Sequence, residues 1–518
     1  MRFRDVRDGV LLVEFPEASD EEANRAANVI ARNLAESAPR GFRDAIPATR
    51  TLLVLFDPDE LPRDRIAEAV SRRARSDGTG LAASRLVRVP VAYGGDAALD
   101  LAELARTTAL SEEELVRRHA EPEYRVAFVG FAPGFAYLTG LPPELHAPRL
   151  ASPRPRVAAG SVGIGGPYTG IYPASMPGGW RLIGRSSAAL FDPEANPPAL
   201  LSPGDRVRFE PIGEEALPPR TPPVQRRLAG RPVLRVVSPG VFATIQGAPR
   251  YGYGSSGVPA GGAMDCSSFA RANALVGNDA HAPALEIALL GPELEVLENV
   301  AVAIAGAEFD ARLDGRPAPD GLAFRVRAGS RLRLSRAQRG VRAYLAVGGG
   351  LVDPRRPGEG RQRIEPGDEL FSASVTAAGA PVPDPGEVVP GGEIVVRVVA
   401  GPQSDHFLAA SLERFLSTPW RVSPVSDRRG LRLEGPRLEH AHAPEIAPEG
   451  TVFGSVQVPG EGFPIVLGPD GPVTGGYPKI ATVIESDLPR LGQAAPGDVL
   501  RFRAVTLEDA LEARREYD

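Results

Sequence analysis

The chain has 518 residues, of which 24% are charged and 43% apolar, and its formal net charge is −6. This length is enough for three or four domains of about 100–200 residues, so several cores can form. The acidic balance gives no general attraction to phosphate backbones or anionic membranes, so neither nucleic acid nor membrane is an expected partner. Cys266 is the only cysteine, which excludes an intramolecular disulfide and a zinc site built from cysteines. With no signal peptide and no spanning apolar run, the sequence predicts a cytoplasmic protein.

The first 82 residues predict a small α/β domain. Gly9–Phe15 and Thr51–Phe56 are short apolar runs typical of strands. Between them, Ser19 precedes three acidic residues and predicts the start of a helix. The apolar stripe of that helix is Ala23, Ala26, Ala27, Ile30 and Leu34. A second helix is expected at about 63–74.

The rest of the chain predicts a mainly β protein with repeated β-barrels. Short strands separated by Gly and Pro turns follow a strand at Leu86–Tyr93 and a helix capped by Ser111. We expect barrel-like domains at 83–216, 232–375 and 390–518, the last ending in a helix capped by Thr506. Residues 217–231 are rich in Pro and Arg and predict a linker. A helix at about 265–276, ending at Gly277, is expected in the middle domain.

Two internal repeats support related barrels. Pro-Gly-Asp recurs at 203–205, 366–368 and 496–498, each time before an apolar strand. Pro then Gly at the centre of a turn favours type II, in which the Gly takes positive φ. The pattern Thr-Gly-x-Tyr-Pro occurs at Thr169–Pro173 and again at Thr474–Pro478.

Residues 128–184 are the first candidate site, because Gly and Pro are dense there and aromatic residues are interleaved. Such a stretch is typical of a barrel opening, with glycines for close backbone approach and aromatic rings as pocket walls. Arg149, Arg154 and Arg156 offer planar donors for a carboxylate or phosphate, with His146 as a catalytic candidate. The alternative is that these arginines are solvated loop charges.

The second candidate region spans 236–292. Gln246 and Arg250 are its candidate ligand contacts, and Glu286 is a catalytic candidate because it lies within an apolar run. A carboxylate buried there needs either a partner or a raised pKa. Asp265 is expected to cap the helix, and Cys266 is interpreted as a small buried residue rather than a nucleophile.

The third candidate region lies in the last domain. Asp427, Arg428 and Arg432 are either an edge-strand ion-pair set or part of a site, and Asp427 is a catalytic candidate. The sequence contains no His-x-x-x-His pair, no Gly-x-Ser-x-Gly elbow and no Met-Lys-Met biotinylation loop. Its single lysine, Lys479, does not lie in a Gly-Lys-Ser/Thr context, so any contact with ATP does not use a P-loop.

Motifs in both halves resemble the two small subunits of bacterial ATP-dependent 5-oxoprolinase, a group also described as allophanate hydrolase subunits 1 and 2 or KipI–KipA. Phe131–Leu138, Thr169–Pro173 and Pro177–Trp180 are similar to the first of these. Further motifs are similar to the second, namely Val237–Gly240, Gly261–Asp265, Ala274–Asn278, Gly401–Gln403, Ser426–Arg428 and Thr474–Pro478. Residues taken from or near these motifs are further candidate ligand contacts, namely Gly160, Ser161, Thr169, Tyr172, Arg428, Gln457, Thr474 and Tyr477.

The resemblance implies cyclophilin-like barrels and shared activity with a third subunit of the LamB/YcsF type, which is absent from this chain. It implies hydrolysis of 5-oxo-L-proline to glutamate with cleavage of ATP, accompanied by Mg and without biotin or zinc. A lactam carbonyl is a poor electrophile, and its phosphorylation makes attack by water feasible. Arginines and backbone N–H groups can then stabilise the charges without a dedicated nucleophile.

Three points stay open at this stage. The family also contains regulators of a sporulation histidine kinase, and urea carboxylase-related accessory modules are a further alternative. An inhibitor fused to its own antagonist would be a poor switch, which makes a function as kinase regulator less favourable. The segment 351–364 is shorter than is usual in the family, which puts a full substrate site in the middle domain in doubt. A homo-oligomer is possible.

Overall fold

The computed structural model describes residues 1–75, 85–217, 229–319, 321–354, 363–375 and 392–517. The predicted linker falls mostly on 218–228, and the short segment 351–364 falls mostly on 355–362, so both lie largely outside the described residues. Among the helices of the described ranges, none combines the length and apolar composition that a membrane span requires.

The chain begins with a four-stranded antiparallel sheet, called here the N-terminal sheet, with two helices packed on one face. Ser19 accepts a hydrogen bond from Glu22 N–H and Glu22 bonds back to Ser19, which is the predicted helix start. Ala23, Ala27, Ile30 and Leu34 are buried as predicted. The sheet order is β1-β2-β4-β3. Its elements are β1 (Arg2–Arg7), β2 (Val10–Glu14), α1 (Asp20–Glu36), β3 (Phe42–Pro47), β4 (Thr51–Phe56) and α2 (Arg63–Arg75).

The first barrel is a closed ring of seven strands in the order β10-β7-β6-β13-β5-β12-β9. Ser111 caps α4 by accepting from Glu114 N–H. The alternating apolar residues of the strands point inward and form one buried cluster. The elements are β5 (Leu86–Tyr93), α3 (Leu101–Thr108), α4 (Glu112–Ala120), β6 (Tyr124–Val129), β7 (Ala136–Thr139), β8 (Arg154–Val157), β9 (Ser161–Gly165), β10 (Tyr168–Ile171), β11 (Met176–Gly178), β12 (Arg181–Arg185) and β13 (Arg206–Ile212).

The middle of the chain forms a nine-stranded sheet rather than a closed ring of strands. Two long strands, β18 and β21, pair along most of their length, and β16, β17, β19 and β20 each pair with one of them. Asp265 caps the predicted helix by accepting from Ser268 N–H. The elements are β14 (Arg231–Ser238), β15 (Phe242–Gln246), α5 (Cys266–Leu275), β16 (Ala284–Ala288), β17 (Glu293–Val296), β18 (Val300–Leu313), β19 (Arg316–Pro317), β20 (Phe324–Val326), β21 (Arg331–Val347) and β22 (Glu369–Ser372).

The second barrel is again a closed ring of seven strands, in the order β23-β30-β27-β28-β25-β24-β31. Thr506 caps the final helix through reciprocal bonds with Asp509, as predicted. The elements are β23 (Glu393–Ala400), α6 (Ala409–Ser417), β24 (Trp420–Val422), β25 (Gly430–Glu434), β26 (Glu449–Gly450), β27 (Ser455–Gln457), β28 (Ile465–Leu467), β29 (Thr474–Gly475), β30 (Lys479–Val483), α7 (Leu488–Gly492), β31 (Val499–Ala504) and α8 (Leu507–Tyr517).

The two closed barrels share one topology. In each, the first and last strands are parallel neighbours, β5 with β13 and β23 with β31. Taken in chain order, β6, β7, β9, β10 and β12 occupy the same places in the ring as β24, β25, β27, β28 and β30. The remaining pairs, β8–β11 and β26–β29, form equivalent two-stranded ribbons. The predicted relationship between barrels is therefore confirmed for the first and last.

The Pro-Gly-Asp repeat has one conformation at all three positions, whereas the Thr-Gly-x-Tyr-Pro repeat lies at non-equivalent positions of the two barrels. Gly204, Gly367 and Gly497 all take φ of +92° to +94°, as the Pro-Gly-Asp turns require. The Asp of each turn also accepts a bond from the N–H three residues earlier. The Thr-Gly-x-Tyr-Pro repeat, by contrast, occupies non-equivalent places, because Thr169 lies in β10 and Thr474 in β29. The Thr-Gly-x-Tyr-Pro motif is therefore not evidence that the two barrels are duplicates.

The N-terminal sheet packs against the second barrel, so the two ends of the chain meet. Apolar residues of the sheet share a buried cluster with Val452 and Val473 of the barrel. Around this cluster, Arg514 of α8 contacts Asp57 and Asp59 of the N-terminal segment. Arg43 of β3 in turn bonds to Glu485 at 3.1 Å. This contact between the sheet and the second barrel brings the first half of the chain against the second.

Candidate functional site

The main candidate site is a cleft of about 1050 Å³ at the junction of both barrels and the middle sheet. The first barrel contributes the β6–β7 and β10–β11 connections, at Phe131–Pro133 and Pro173–Met176. The second barrel contributes the β24–β25 and β28–β29 connections. These are topologically equivalent loops, so the cleft forms where corresponding parts of two related barrels face one another. The middle sheet closes it with residues 246–262 and 363–368.

The loop at 250–262 is held in place by every neighbouring unit. Asp44 of β3 accepts from Gly252 N–H at 2.9 Å and from Gly254 N–H at 3.0 Å. Ser256 carbonyl accepts from Gly134 N–H of the first barrel at 3.0 Å. On the other side, Gly261 N–H donates to the carbonyl of Pro469 in the second barrel. The wall of the cleft is therefore rigidly positioned by both halves of the chain.

Close backbone approach explains the glycine density at this junction. Gly257 has φ of +77°, and a Cβ there would lie 2.4 Å from the carbonyl oxygen of Ala132. Opposite it, Phe131 takes a φ of +66°, which is strained for a residue with a side chain. Its N–H donates to Thr474 Oγ1 at 3.1 Å, and this bond between barrels holds the strained conformation.

The charged side chains that line the cleft carry both signs. Arg250 is paired with Asp353, and Arg363 lies 5.1 Å from the ring centre of Phe242. Arg363 and Arg429 are exposed, and no carboxylate of the described ranges lies within ion-pair distance of either. The carboxylates on the cleft wall are Glu365, Asp368, Asp427 and Asp470. Within the same ranges, no group of three or more His, Cys, Asp or Glu side chains is placed to hold a metal ion.

A buried ion network lies beneath the cleft. Arg428 of the second barrel bonds to both oxygens of Glu286 in the middle sheet at 2.9 Å. The same guanidinium bonds to Asp470 and to the carbonyl of Gly262, both of which line the cleft. Glu286 and Arg428 are only 0% and 1% exposed. The network therefore connects the middle sheet to the second barrel and fixes two parts of the cleft wall.

These contacts determine the protonation of Glu286. Burial would raise the pKa of this carboxyl, but the charges of Arg428 and Arg342 and the bonds from Met264 N–H and Tyr344 outweigh it. The pKa of Glu286 therefore lies below its ordinary value, and the residue is ionised. Burial likewise opposes the charge on Arg428, yet Glu286 and Asp470 raise its pKa. Glu286 therefore has Arg428 as the charged partner that a carboxylate in an apolar run needs, and its side chain is not exposed to the cleft.

The structure brings some predicted residues to the cleft and places others elsewhere. Gln246, Arg250 and Asp427 line it directly. Asp427 is exposed and accepts from Arg429 N–H at 2.7 Å. Cys266 keeps exposed surface, contrary to the expectation that it is buried. Desolvation around its thiol nevertheless raises the pKa to about 12, so it is protonated at neutral pH.

The arginines of the first candidate region do not line the cleft. Arg154 bonds to Asp100 at 2.8 Å, which makes it part of an ion pair on the barrel. Arg156 is exposed and reaches Ser175, a residue of the cleft wall, at 3.0 Å. Arg149 is half-buried. His146 is exposed, and its one side-chain hydrogen bond among the described residues is to the carbonyl of Leu141, at 3.1 Å.

Most aromatic residues of that region pack on one another instead of forming open pocket walls. The aromatic cluster consists of Phe128, Phe131, Phe135, Tyr137, Tyr168, Tyr172 and Trp180, with small apolar neighbours. Tyr137 stacks on Phe128 at 4.3 Å and meets Tyr168 and Trp180 edge to face at 5.5 Å. Only Phe131 of these rings lines the cleft. Edge-to-face packing is itself stabilising, so the cluster closes the end of the barrel.

The remaining motif residues of the first barrel have backbone and core contacts. Thr169 Oγ1 donates to the Gly163 carbonyl and contacts buried His119 at 2.8 Å. Gly160 has φ of +87°, and its N–H donates to the carbonyl of Tyr172. Ser161 accepts from the N–H of Tyr172. All four predicted residues are buried within the barrel.

In the second barrel, most of the motif residues are buried. Gln457 is buried, and its Nε2 has no hydrogen-bond partner within the described part of the chain. Lys479 is buried and paired with Glu449, which also accepts from Gln403 at 2.8 Å. Thr474 contacts the first barrel through Phe131, and Tyr477 is half-buried.

Sequence reasoning missed Arg363, Arg429 and Asp470 on the cleft wall. Arg428 and Arg429 are the two central residues of a tight turn between Asp427 and Gly430. No local signal separates the buried arginine from the exposed one. Arg363 lies in the shortened segment, and Asp470 follows a strand with no distinctive motif.

Comparisons with known proteins match both halves of the chain. Residues 1–201 match the family described as carboxyltransferase domain, subdomain C and D, and residues 256–504 match carboxyltransferase domain, subdomain A and B. The C subunit of 5-oxoprolinase from Escherichia coli strain K12 is 37% identical over 297 residues, covering 55% of this chain and 95% of that protein. The B subunit of 5-oxoprolinase from Bacillus subtilis strain 168 is 40% identical over 219 residues, covering 40% of this chain and 91% of that protein.

A solved structure spans nearly the entire molecule. The crystal structure of TTHA0988 is 37% identical, covers 95% of this chain and 99% of its own, and superposes with a TM-score of 0.84. The two family matches fall on different halves of this polypeptide, and the B and C relatives cover 40% and 55% of it. The chain therefore belongs to the family of 5-oxoprolinase B and C subunits, with the two fused in one polypeptide.

Proposed function

We propose that this chain is the fused B–C component of an ATP-dependent 5-oxoprolinase in the cytoplasm. It hydrolyses 5-oxo-L-proline to L-glutamate, with cleavage of ATP to ADP and phosphate, together with a separate LamB/YcsF-type partner, which is the third component of the enzyme. The observation that carries the proposal is that one cleft is lined by both the B-like and the C-like half. Neither half encloses that cleft without the other, which accounts for a shared function.

The cleft has the size and charge that this chemistry needs. At about 1050 Å³ it can accept a nucleotide beside a small substrate. Arg363 and Arg429, which have no ion-pair partner among the described residues, project guanidinium groups that suit phosphate oxygens. The glycine-rich loop at 257–262 brings backbone close to the cavity. The N–H groups of Ala260 and Gly262, which donate to no acceptor within the described ranges, can stabilise negative charge there.

The carboxylates on the wall fit a magnesium ion that accompanies ATP. Mg²⁺ is commonly held by one or two carboxylates together with substrate phosphates. Asp427 and Glu365 are exposed on the cleft wall and would hold it there. Asp470 is less suitable, because Arg428 already occupies both of its oxygens. The ion would offset phosphate charge as the γ-phosphoryl group is transferred to the lactam oxygen.

In this proposal the chain positions reactants rather than supplying a nucleophile. Arginine and N–H donors hold the γ-phosphate near the lactam oxygen, and phosphorylation makes the ring carbon electrophilic. Water then adds to that carbon, the ring C–N bond opens, and phosphate leaves. Glu286 takes no direct part, since it is sealed below the cleft and paired with Arg428.

Reconstitution tests the proposal. Purified chain should release no glutamate from 5-oxo-L-proline, and addition of the LamB/YcsF-type partner should give release that depends on ATP. A mixture of folded components without turnover would defeat the assignment. The regulatory alternative is tested by histidine kinase autophosphorylation, which this chain should leave unchanged. This chain covers more than nine-tenths of both the B and the C relative, which favours a 5-oxoprolinase function over a urea-related one.

A further inference from the structure

Gln246 is a buried polar residue of the cleft wall with one unused hydrogen-bonding atom. It is the last residue of β15, it lines the cleft, and it is only 2% exposed. Its Nε2 donates to Oγ1 of the buried Thr244 at 2.9 Å, which fixes the orientation of the side-chain amide. Its Oε1 accepts no hydrogen bond within the described ranges. The amide oxygen is therefore left for a donor that enters the cleft.

Arg250 is a second polar group of the same wall, four positions further along the chain. Its Nη2 is paired with Asp353, whose side chain is 8% exposed, so the guanidinium is held from one side. Its Nε and Nη1 donate to no acceptor in the part of the chain that the structure describes. A planar guanidinium that is fixed in this way keeps N–H groups for a second carboxylate.

One loop carries both of these groups and folds back on itself. Arg250 N–H donates to the carbonyl of Ala260 at 2.8 Å, which ties the segment after Gln246 to the glycine-rich segment. The N–H groups of Ala260 and Gly262 donate to no acceptor among the described residues. All four residues line the cleft. A single loop therefore presents an acceptor, a cation and backbone donors to one cavity.

The arginine that the proposed function assigns to phosphate lies toward the other end of β15. The guanidinium of Arg363 is 5.1 Å from the ring centre of Phe242. Phe242 and Gln246 are the first and last residues of β15 and lie on one face of the strand. Their Cα atoms are about 13 Å apart, from the rise of a strand. The cleft therefore has room for phosphate groups beside a small ligand held by Gln246.

We infer that Gln246 and Arg250 form a ligand subsite of the cleft that binds a small cyclic amide with a carboxylate next to its ring nitrogen. Gln246 Oε1 accepts from the ring N–H, and Arg250 binds the carboxylate through Nε and Nη1. These two ligand groups are on neighbouring ring atoms, so one wall can contact both. A buried acceptor that stays unpaired disfavours a ligand without the N–H. The identification of this ligand as 5-oxo-L-proline rests on the proposed function, whereas the subsite does not.

Isothermal titration of the full chain tests the N–H contact with two ligands that differ at one ring atom. The ligands are 5-oxo-L-proline and its lactone analogue, in which a ring oxygen replaces the N–H. The wild type should bind the lactam about tenfold or more tighter, because Gln246 Oε1 would face a lone pair of the lactone. Gln246→Met has a similar size and should bind both ligands with nearly equal affinity. Equal binding of both by the wild type, or no binding of the lactam, would overturn the subsite.

Arg250→Gln tests the carboxylate contact. This variant should bind both ligands about tenfold or more weakly, because both carry the carboxylate, and it should keep the preference for the lactam. Arg185→Gln, which changes an exposed arginine on β12 of the first barrel, is the matched control and should bind like the wild type. Wild-type affinity in Arg250→Gln would overturn the assignment of the carboxylate to this arginine.

The outcomes separate this inference from the proposed function. If the affinities behave as expected but the reconstituted enzyme shows no turnover, the proposed activity falls and the subsite stands. If turnover occurs and Gln246→Met keeps the wild-type KM and the preference for the lactam, the subsite falls and the activity stands. Thermal melting of each variant checks the fold. Arg250→Gln breaks the pair with Asp353, so Gln246→Met keeps the test decisive if that variant does not fold.

Discussion

The buried ion network beneath the cleft gives the sharpest stability prediction. Arg428→Met removes the guanidinium that bonds to both oxygens of Glu286. Glu286 would keep only Met264 N–H and the Tyr344 hydroxyl as close donors among the described residues, with Arg342 at 3.7 Å. Removal of one partner of a buried ion pair costs about 3–5 kcal/mol, because the other charge stays buried. We expect Arg428→Met to lower the free energy of unfolding by that amount.

Thermal melting measures this loss. For a unit of about 150–250 residues, Tm changes by roughly 2–4 °C per kcal/mol. The Tm of Arg428→Met should therefore be lower than that of the wild type by at least about 6 °C. Arg429→Met is the matched control, since Arg429 is exposed and forms no ion pair within the described ranges, and it should shift stability by no more than about 0.5 kcal/mol.

A double variant separates loss of the ion pair from loss of packing. Arg428→Met combined with Glu286→Gln removes both charges, so the double variant should be more stable than Arg428→Met. If Arg428→Met melts within about 2 °C of the wild type, the network does not hold the middle sheet against the second barrel. A double variant less stable than Arg428→Met would likewise refute the buried-charge argument.

Three further predictions concern pH, the junction and the cleft. Burial lowers the pKa of His119 from the ordinary 6.5 to about 3. Between these two pH values the imidazole is protonated in the unfolded chain but neutral in the folded one. Stability should therefore fall as pH drops through this window, by up to about 1.4 kcal/mol per pH unit, and melting of His119→Gln across pH 4–6.5 should lose that slope. Gly257→Ala should destabilise the chain more than Gly277→Ala in melting experiments, because both have φ near +75° but only the former Cβ meets a backbone oxygen. Equal effects would mean that the contact between halves is unimportant. Arg363→Gln and Arg429→Gln should each reduce ATP-dependent glutamate release by about tenfold or more with unchanged Tm, and full activity in both would exclude these arginines from the phosphate site.

Local chemistry allowed the secondary structure and repeats to be predicted well. Ser19, Asp265 and Thr506 cap helices as expected, because capping depends on residues a few positions apart. The Pro-Gly-Asp turns were equally readable, since positive φ is a local demand on glycine. The aromatic residues of the first barrel were harder, because their mutual packing depends on how distant strands close the ring.

The cleft itself could not be predicted from one stretch of sequence. Its walls come from five connections in two barrels and from two segments of the middle sheet. Arg428 was a plausible ligand contact by composition, yet its pairing with Glu286, 142 positions away, buries it. Which of the two adjacent arginines faces the cavity depends on tertiary packing, and in this fold Arg429 lies at the cleft.

A crystal structure with a magnesium complex of a non-hydrolysable ATP analogue, bound to the chain together with the proposed LamB/YcsF-type partner, tests the central claim most directly. The account predicts density for the nucleotide in the cleft between the halves, with phosphate oxygens within hydrogen-bond distance of Arg363 or Arg429. Nucleotide bound elsewhere, with the cleft containing only solvent, would contradict it.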